Sequence, residues 1–467
     1  MDILSAGEVA SACQGKLIGD PETLVGSAVE IDSRLVTPGA IFVALGGEKT
    51  DGHNFITDAI ARGAAAVLVK QELELPIPVI VVADPLVGLT NLASYLVEAA
   101  RARQTWSLAV TGSSGKTSTK DLLSQILETD GETVAPVGSF NNEIGVPLTA
   151  TRITSKTRFL VSEFGSRGIG HIAALAQIVP VDTAVVLNVG QVHLSEFGTI
   201  EDVARGKGEL VQAAQNWAVL NADDHRVLAM QELTAAKLAT FSAHAEPTVG
   251  TLRLYATDCT ADEQQRFSFN VQISGMVEAK AHVKLQVVGR HQISNALAAV
   301  GAALTAGLEF ETAIAALNKA VVRSKWRMEM SSNPNGLTII NDAYNANPDS
   351  MRAGLRTLAG LRPDGGKLIA VLGDMLELGE ITPAAHYAVG EFAAQLGIDL
   401  LVALGDQRDQ LVAGAMSAGA RAVAAANTEE AVALVDSFAS QNDVVLVKAS
   451  RAIALENVVK RLGALQA

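Results

Sequence analysis

Short apolar runs, each followed by a stretch with helical spacing, recur along this chain. In the first hundred residues the runs are 41–45 (IFVAL), 65–69 (AAVLV) and 79–82 (VIVV), which read as the buried strands of a small α/β unit. Leu108-Ala109-Val110 then leads into a glycine-containing turn, and 119–129 (TKDLLSQILET) carries Leu122, Leu123, Ile126 and Leu127 at helical spacing. Residues 159–161 and 184–187 predict further buried strands with helices between them. The stretch from about 245 to 289 differs: 267–271 (FSFNV) and 283–287 (VKLQV) alternate, which predicts an antiparallel addition. Near 325 the pattern resets, with strands at 337–340, 368–372, 400–403 and 444–447 between helical segments. A polar junction, Arg101-Ala102-Arg103-Gln104, marks a boundary near 104. The expectation is an α/β protein of three domains: a small N-terminal one over 1–104, a central one over 105–325, and a Rossmann-like C-terminal one over 326–467. Mostly parallel sheets would carry the second and third.

Composition narrows the partners. The 467 residues are 49% hydrophobic, enough for ordinary cores, and no apolar run approaches the ~18 residues of a membrane span. The first residues, Met1-Asp2-Ile3-Leu4-Ser5, lack the basic segment and apolar core of a signal peptide. Two cysteines, Cys13 and Cys259, exclude a disulfide framework and fit a reducing compartment, so a cytoplasmic location is expected. A net charge of −14 argues against a nucleic-acid partner, whose phosphates need a basic face. It leaves room for an anionic small substrate in a locally basic site. Nothing suggests an obligate interface, and a monomer is expected.

The chemistry concentrates at Val110-Thr111-Gly112-Ser113-Ser114-Gly115-Lys116-Thr117-Ser118. Strand, glycine loop and helix form the context in which backbone N–H groups cradle phosphates and a helix N-terminus adds positive charge. Gly112 to Ser118 would then bind a nucleoside triphosphate. Lys116 would reach the β- and γ-phosphates, and Thr117 would enter a Mg²⁺ shell. The usual loop has a glycine six residues before its lysine, where this chain has Val110. Strand 159–161 runs out at Glu163, a hard-oxygen carboxylate suited to a nucleotide-bound Mg²⁺. Alone, such a glutamate is a solvated loop residue; the neighbouring phosphate loop favours the ligand reading. The next strand ends at Asn188, with His193 in the glycine-containing loop beyond it. That histidine reads equally as a ligand or as a satisfied core residue. In the helix predicted over 199–214, Gly206 and Gly208 cost roughly 1 kcal/mol each and imply close packing, while local physics gives Lys207 no role.

Several longer stretches carry a resemblance. They are Asp32-Ser33-Arg34, 141–149 (NNEIGVPLT), His193-Leu194 with Glu196-Phe197-Gly198, 342–351 (DAYNANPDSM), 371–379 (VLGDMLELG), and Lys448 with Ser450-Arg451. With the T-G-x-x-G-K-T loop they span nearly the whole chain, which is similar to the Mur ligases, ATP-dependent amide-forming enzymes of the peptidoglycan stem peptide. The 342–351 and 371–379 stretches resemble the branch that adds a dipeptide.

The resemblance implies ATP, two Mg²⁺ ions, and as substrates UDP-N-acetylmuramoyl-tripeptide and D-alanyl-D-alanine. By it Thr117 and Glu163 hold Mg²⁺ on the phosphates, and His193 helps hold a second ion. Lys207 matches a carbamylated lysine that ligates metal. Lys116, His193 and Lys207 would form the catalytic set. Asn295 matches an adenine contact; Arg327 and Asp342 match positions that reach the nucleotide from the third domain. Ser33, Arg34, Asp51, Gly52, His53, Asn141 and Asn142 fall in motifs for the uridine-diphosphate substrate, although Asp51-Gly52-His53 is also a strong turn signal. Tyr344, Asn345 and Asn347 would flank the amine. Departures from the pattern are Ala40, Ala449 and Asn341, none at a proposed ligand. An acyl phosphate must be kept from water, so an open form that closes on substrates is expected. The rival readings are a sister ligase (one adding the third amino acid, or a folylpolyglutamate synthetase) and a regulatory nucleotide-dependent ATPase.

Overall fold

The computed structural model describes residues 1–47 and 50–464. Three α/β units follow one another along the chain, each on its own main sheet. In the first, the order is Lys16–Ile18, Val79–Val81, Ala66–Val69, Ile41–Val43, Val29–Glu30, parallel except for Lys16–Ile18 at one edge. The helix Pro85–Arg101 closes this unit. Asp84 caps it by accepting from the Leu86 N–H at 2.8 Å, and Pro85 sits where a missing N–H costs nothing. Its apolar stripe splits between two cores: Leu89, Leu92 and Leu96 pack on the first unit, Ala93, Val97 and Ala100 on the second.

The central sheet has nine strands. Trp106–Thr111 lies between Thr157–Glu163 and Val181–Val186, parallel to both, so the chain leaves its carboxyl end at a crevice between crossovers. Beyond Lys237–Ser242 the strands Leu252–Ala261, Arg266–Gly275 and Ala279–Val288 form the antiparallel extension that the alternation predicts. The helix after the phosphate loop runs over Lys116–Leu127, three residues earlier than its apolar spacing indicates. Gly115, at φ +82°, turns the chain directly into it, so its first N–H groups face the loop. The packing implied by the glycine pair is also present: a Cβ on Gly206 would come within 2.7 Å of Phe197, and one on Gly208 within 2.8 Å of Leu233.

The third sheet runs Glu329–Ser332, Thr338–Asn341, Val444–Lys448, Leu368–Leu372, Leu400–Ala403, Ala422–Ala424, parallel except for the first strand. Its near-continuous apolar strands are covered on both faces, by separate clusters around Leu355, Leu358 and Leu411 and around Val435, Val458 and Leu462. No helix among the described residues is long and apolar enough to cross a membrane.

Candidate active site

A cavity of about 900 Å³ lies where the central and C-terminal units meet at the end of Trp106–Thr111. The loop that forms its floor is held by Asn188. The Asn188 carbonyl accepts from the Ser113 N–H at 3.0 Å, its side-chain oxygen accepts from the Ser114 N–H at 2.9 Å, and its amide donates to the Ser114 carbonyl. Gly115 cannot carry a side chain here, because a Cβ would stand 2.5 Å from Asn295 Oδ1. Lys116 folds back to donate to the Gly112 carbonyl at 2.6 Å, and burial lowers its pKa. The Thr117 hydroxyl donates to Glu163 Oε2 at 2.9 Å and accepts from Arg327 at 3.2 Å; Asn141 donates to Glu163 Oε1 at 2.8 Å.

Two further residues define the other wall. His193 adopts a left-handed backbone (φ +50°) at the head of the short helix Leu194–Phe197. Its Nδ1 lies against Glu377 of the C-terminal unit, but out of hydrogen-bonding alignment. Burial lowers its pKa, although Glu377 opposes the shift. Lys207 is 2% exposed, and no described residue hydrogen-bonds or ion-pairs with its ammonium. Desolvation, with the Lys116 charge adding to it, drives its pKa well below the ordinary lysine value.

The C-terminal unit is seated on the loop. Asn347 donates to the Ser113 carbonyl at 3.3 Å while capping the helix Pro348–Gly360 through the Ser350 N–H. Tyr344 accepts from Ser139 at 2.6 Å and carries the Arg327 guanidinium 4.2 Å above its ring. Lys448, wholly buried, donates to Asp342 at 2.6 Å and to the Asn345 carbonyl at 2.8 Å, which fixes the 342–347 turn. Burial lowers the Lys448 pKa, against the pull of Asp342.

Three family models match in turn: Mur ligase family, catalytic domain, over residues 27–102; Mur ligase middle domain over 110–303; and Mur ligase, glutamate ligase domain, over 326–451. A Mycobacterium tuberculosis relative, UDP-N-acetylmuramoyl-tripeptide--D-alanyl-D-alanine ligase, is 40% identical across 94% of this chain and 92% of its own. The chain belongs to the Mur ligase family. The Escherichia coli relative of the same name is 33% identical over 98% of each chain. Among solved Mur ligases, a MurF structure from Acinetobacter baumannii matches with a TM-score of 0.86 at 30% identity, covering all of both chains. MurF of Thermotoga maritima in complex with ADP matches with a TM-score of 0.77 at 27% identity, over 94% of this chain and 97% of that one.

Within this Mur ligase the cavity gathers Gly112 to Ser118, Asn141, Asn142, Glu163, His193, Lys207, Asn295, Arg327, Asp342, Tyr344, Asn345 and Asn347. It does not gather Ser33, Arg34, Asp51, Gly52 or His53. Those five build two turns of the first unit. Asp32 accepts from the Arg34 backbone and pairs with its guanidinium at 2.6 Å, which holds the Asp32 carboxyl at about 2. Asp51 accepts from the His53 N–H and ring, and the other ring nitrogen accepts from the Lys70 N–H. Sequence reasoning gave no role to Asn188, Glu377 or Lys448. Glu377 and Lys448 fall in stretches that carry the resemblance, and Asn188 reads only as a strand end.

Proposed function

We propose that this Mur ligase joins D-alanyl-D-alanine to UDP-N-acetylmuramoyl-tripeptide, consuming ATP and releasing ADP and phosphate. The observation that carries the reading is the site itself: a phosphate loop facing a buried lysine without a counter-ion, across from a docked third unit. The curated relatives, matched over nearly their full length, are named for this ligation, and a structural neighbour was solved with ADP.

The residues fit magnesium. Thr117 and Glu163 are hard oxygen donors already in contact, and among the described residues no three His, Cys, Asp or Glu side chains converge into a cage. That suits an ion that keeps waters and phosphate oxygens in its shell. Thr117 and Glu163 would hold one Mg²⁺, and His193 with a carbamylated Lys207 a second. Bound Mg²⁺ would supply charge neutralisation between two anionic reactants. Lys207 suits carbamylation because its desolvated amine is readily neutral and so able to capture CO₂, and the carbamate would restore an anion opposite Lys116.

The tripeptide carboxylate attacks the γ-phosphorus to give an acyl phosphate; the amine of the dipeptide then attacks the acyl carbon and phosphate leaves. Lys116 and Arg327 stabilise the phosphoryl charge. Asn295, beside Gly115, would meet the adenine, and Asp342 the ribose. The seated C-terminal unit shields the acyl phosphate from water. Ser33, Arg34, Asp51, Gly52 and His53 would receive the uridine-diphosphate end on the first unit, with Asn141 and Asn142 nearer the reacting end. Tyr344, Asn345 and Asn347 would flank the amine. The domains are drawn at 1–104, 105–325 and 326–467, and the enzyme acts as a cytoplasmic monomer.

The test is ATP consumption with the nucleotide-linked tripeptide and either D-alanyl-D-alanine or single amino acids, with mass spectrometry of the product. A product heavier by the dipeptide, formed only with D-alanyl-D-alanine, is expected. Turnover with a single amino acid would move the chain to a sister ligase, and ATP loss without a new amide would make it a regulatory ATPase. Native mass spectrometry under CO₂ should find one added CO₂, absent from Lys207→Met.

A further inference from the structure

The dipeptide of the ligation proposed above arrives with its amine as an ammonium, which must shed a proton before it attacks the acyl group, in a cavity that already holds the cations Lys116 and Arg327. An ammonium group needs an anionic acceptor there. Among the described residues five carboxylates line the cavity: Glu143, Glu163, Asp342, Asp349 and Glu377. Glu163 is spent on Thr117 and Asn141, and Asp342 on Lys448 and the Met328 N–H. Asp349 lies over Gly190 beside Ser113, on the helix Pro348–Gly360 with the charges of Arg352 and Arg356 near it. Glu143 is exposed on the central unit.

Glu377 differs from these. It belongs to the C-terminal unit, touches His193 without a formed hydrogen bond, and keeps 39% of its side chain exposed to the cavity. Its other oxygen faces Arg167 at 3.7 Å and, among the described residues, accepts no hydrogen bond. The loop that presents it is rigid. Asp374 accepts from the Asp406 and Gln407 N–H groups at 2.8 and 2.9 Å, the His386 ring accepts from the Met375 N–H at 2.8 Å, and Ser450 Oγ accepts from the Leu376 N–H at 3.0 Å. Glu377 itself is held in the left-handed region at φ +63°, a conformation that non-glycine residues keep where the surroundings impose it.

We propose that Glu377 is the carboxylate on which the α-ammonium of the incoming dipeptide docks, exchanging its poorly aligned contact with His193 for a charge-assisted hydrogen bond to the amine. The inference rests on the ligase reading. It adds that the amine subsite is completed only when the C-terminal unit is seated, because the acceptor travels with that unit and ends beside His193.

The test is steady-state kinetics on the full-length enzyme. Glu377→Gln should raise KM for D-alanyl-D-alanine about ten- to a hundred-fold, the worth of one hydrogen bond to a charged group. KM for ATP and for the nucleotide-linked tripeptide should stay within about two-fold, and Glu377→Asp should recover part of the loss. Propionyl-D-alanine, the same dipeptide without its ammonium, should compete equally well against wild type and Glu377→Gln. Equal rises in all three KM values would make Glu377 a domain latch and overturn the proposal. So would a rise produced by Glu143→Gln and not by Glu377→Gln. If wild type forms no amide with any amine, the ligase reading itself fails, which is a separate outcome.

Discussion

Two ion pairs in this molecule share the same N–O separation and should differ severalfold in energy. Lys448 and Asp342 stand 2.6 Å apart with side chains 2% and 12% exposed; Lys16 and Glu72 stand 2.6 Å apart at 64% and 61%. Lys448→Met keeps the length of the buried stem and strands the Asp342 carboxylate, leaving it one N–H donor, Met328, at 3.3 Å. Breaking a buried pair from one side costs about 3–5 kcal/mol, because the remaining charge has lost its compensation. The exposed pair gives up no more than about 0–1 kcal/mol when Lys16 is replaced, since water already solvates both partners.

Bulk unfolding of three units is not a two-state event, so the readout must be local. Hydrogen exchange of the Thr338–Asn341 and Val444–Lys448 amides reports the opening of the sheet in which the pair sits. Lys448→Met should lower that opening free energy by about 3 kcal/mol, and Lys448→Met with Asp342→Asn should lower it by less than the sum of the single changes, with a coupling near 2 kcal/mol. A loss below about 1 kcal/mol, or simple additivity, would refute the assignment of this pair as a buried, mutually dependent one.

Three further outcomes are expected. His386 is held neutral, since one ring nitrogen accepts from the Met375 N–H while the other donates to the Thr382 carbonyl, and burial lowers its pKa below the ordinary 6.5. The unfolded chain therefore takes up the proton first: its stabilising effect is complete above about pH 6.5 and is lost as pH falls below it. The opening free energy of the Thr382–Gln395 amides, read by hydrogen exchange, should drop more in wild type than in His386→Gln between about pH 7.5 and about pH 5.5; parallel slopes would count against it. Gly414→Ala drives a methyl into the Tyr387 carbonyl, where the helices Thr382–Gln395 and Arg408–Ser417 touch, and should lower the opening free energy of their amides, read by hydrogen exchange, by about 3 kcal/mol. Arg327→Ala should lower kcat about 10²-fold, and Arg327→Lys should not restore it, because stacking on Tyr344 while reaching Thr117 needs a planar fork; full activity in the lysine variant would sink that account.

The fold was legible because both of its periodicities are written locally. Buried parallel strands appear as unbroken apolar runs and the extension at 252–288 as alternation, and helices fill the gaps. That the 112–118 loop and the Glu163 strand end share one cavity was equally readable, since each sits at the close of such a run. Lys207 was not readable from its own helix. Its significance lies in what it lacks, a counter-ion, and that absence is a property of packing among elements far apart in the chain. Glu377 lies inside the 371–379 stretch, but its role was hidden for the same reason: its partner His193 is on another unit, and its left-handed backbone leaves no mark on residue type. At Asp51-Gly52-His53 the local signal was for backbone shape. The turn signal was correct, and the structure uses the aspartate and histidine to close that turn.

How the third unit is joined explains why so much of the site comes from it. The segment leading out of the central unit is pinned to the phosphate-loop helix at three successive points. Gln125 and Val321 exchange two hydrogen bonds, Arg323 grips Glu128 with both guanidinium nitrogens, and Ser324 gives its N–H and hydroxyl to Asp121, which also holds Lys120. Directly afterwards Trp326 and Met328 both turn left-handed, at φ +60° and +53°, with Arg327 between them. The fixed end of the tether and the arginine that reaches Thr117 are thus three residues apart. The two left-handed residues flank Arg327 and set the direction in which its side chain leaves the backbone. Arg451 stacks on Trp326 and Arg327 on Tyr344, both rings carried by the C-terminal segment, so the aim is registered to that unit and not to the central one. With the unit seated, the guanidinium reaches Thr117 of the phosphate loop and Glu377 meets His193, so both contacts depend on the placing of the same unit.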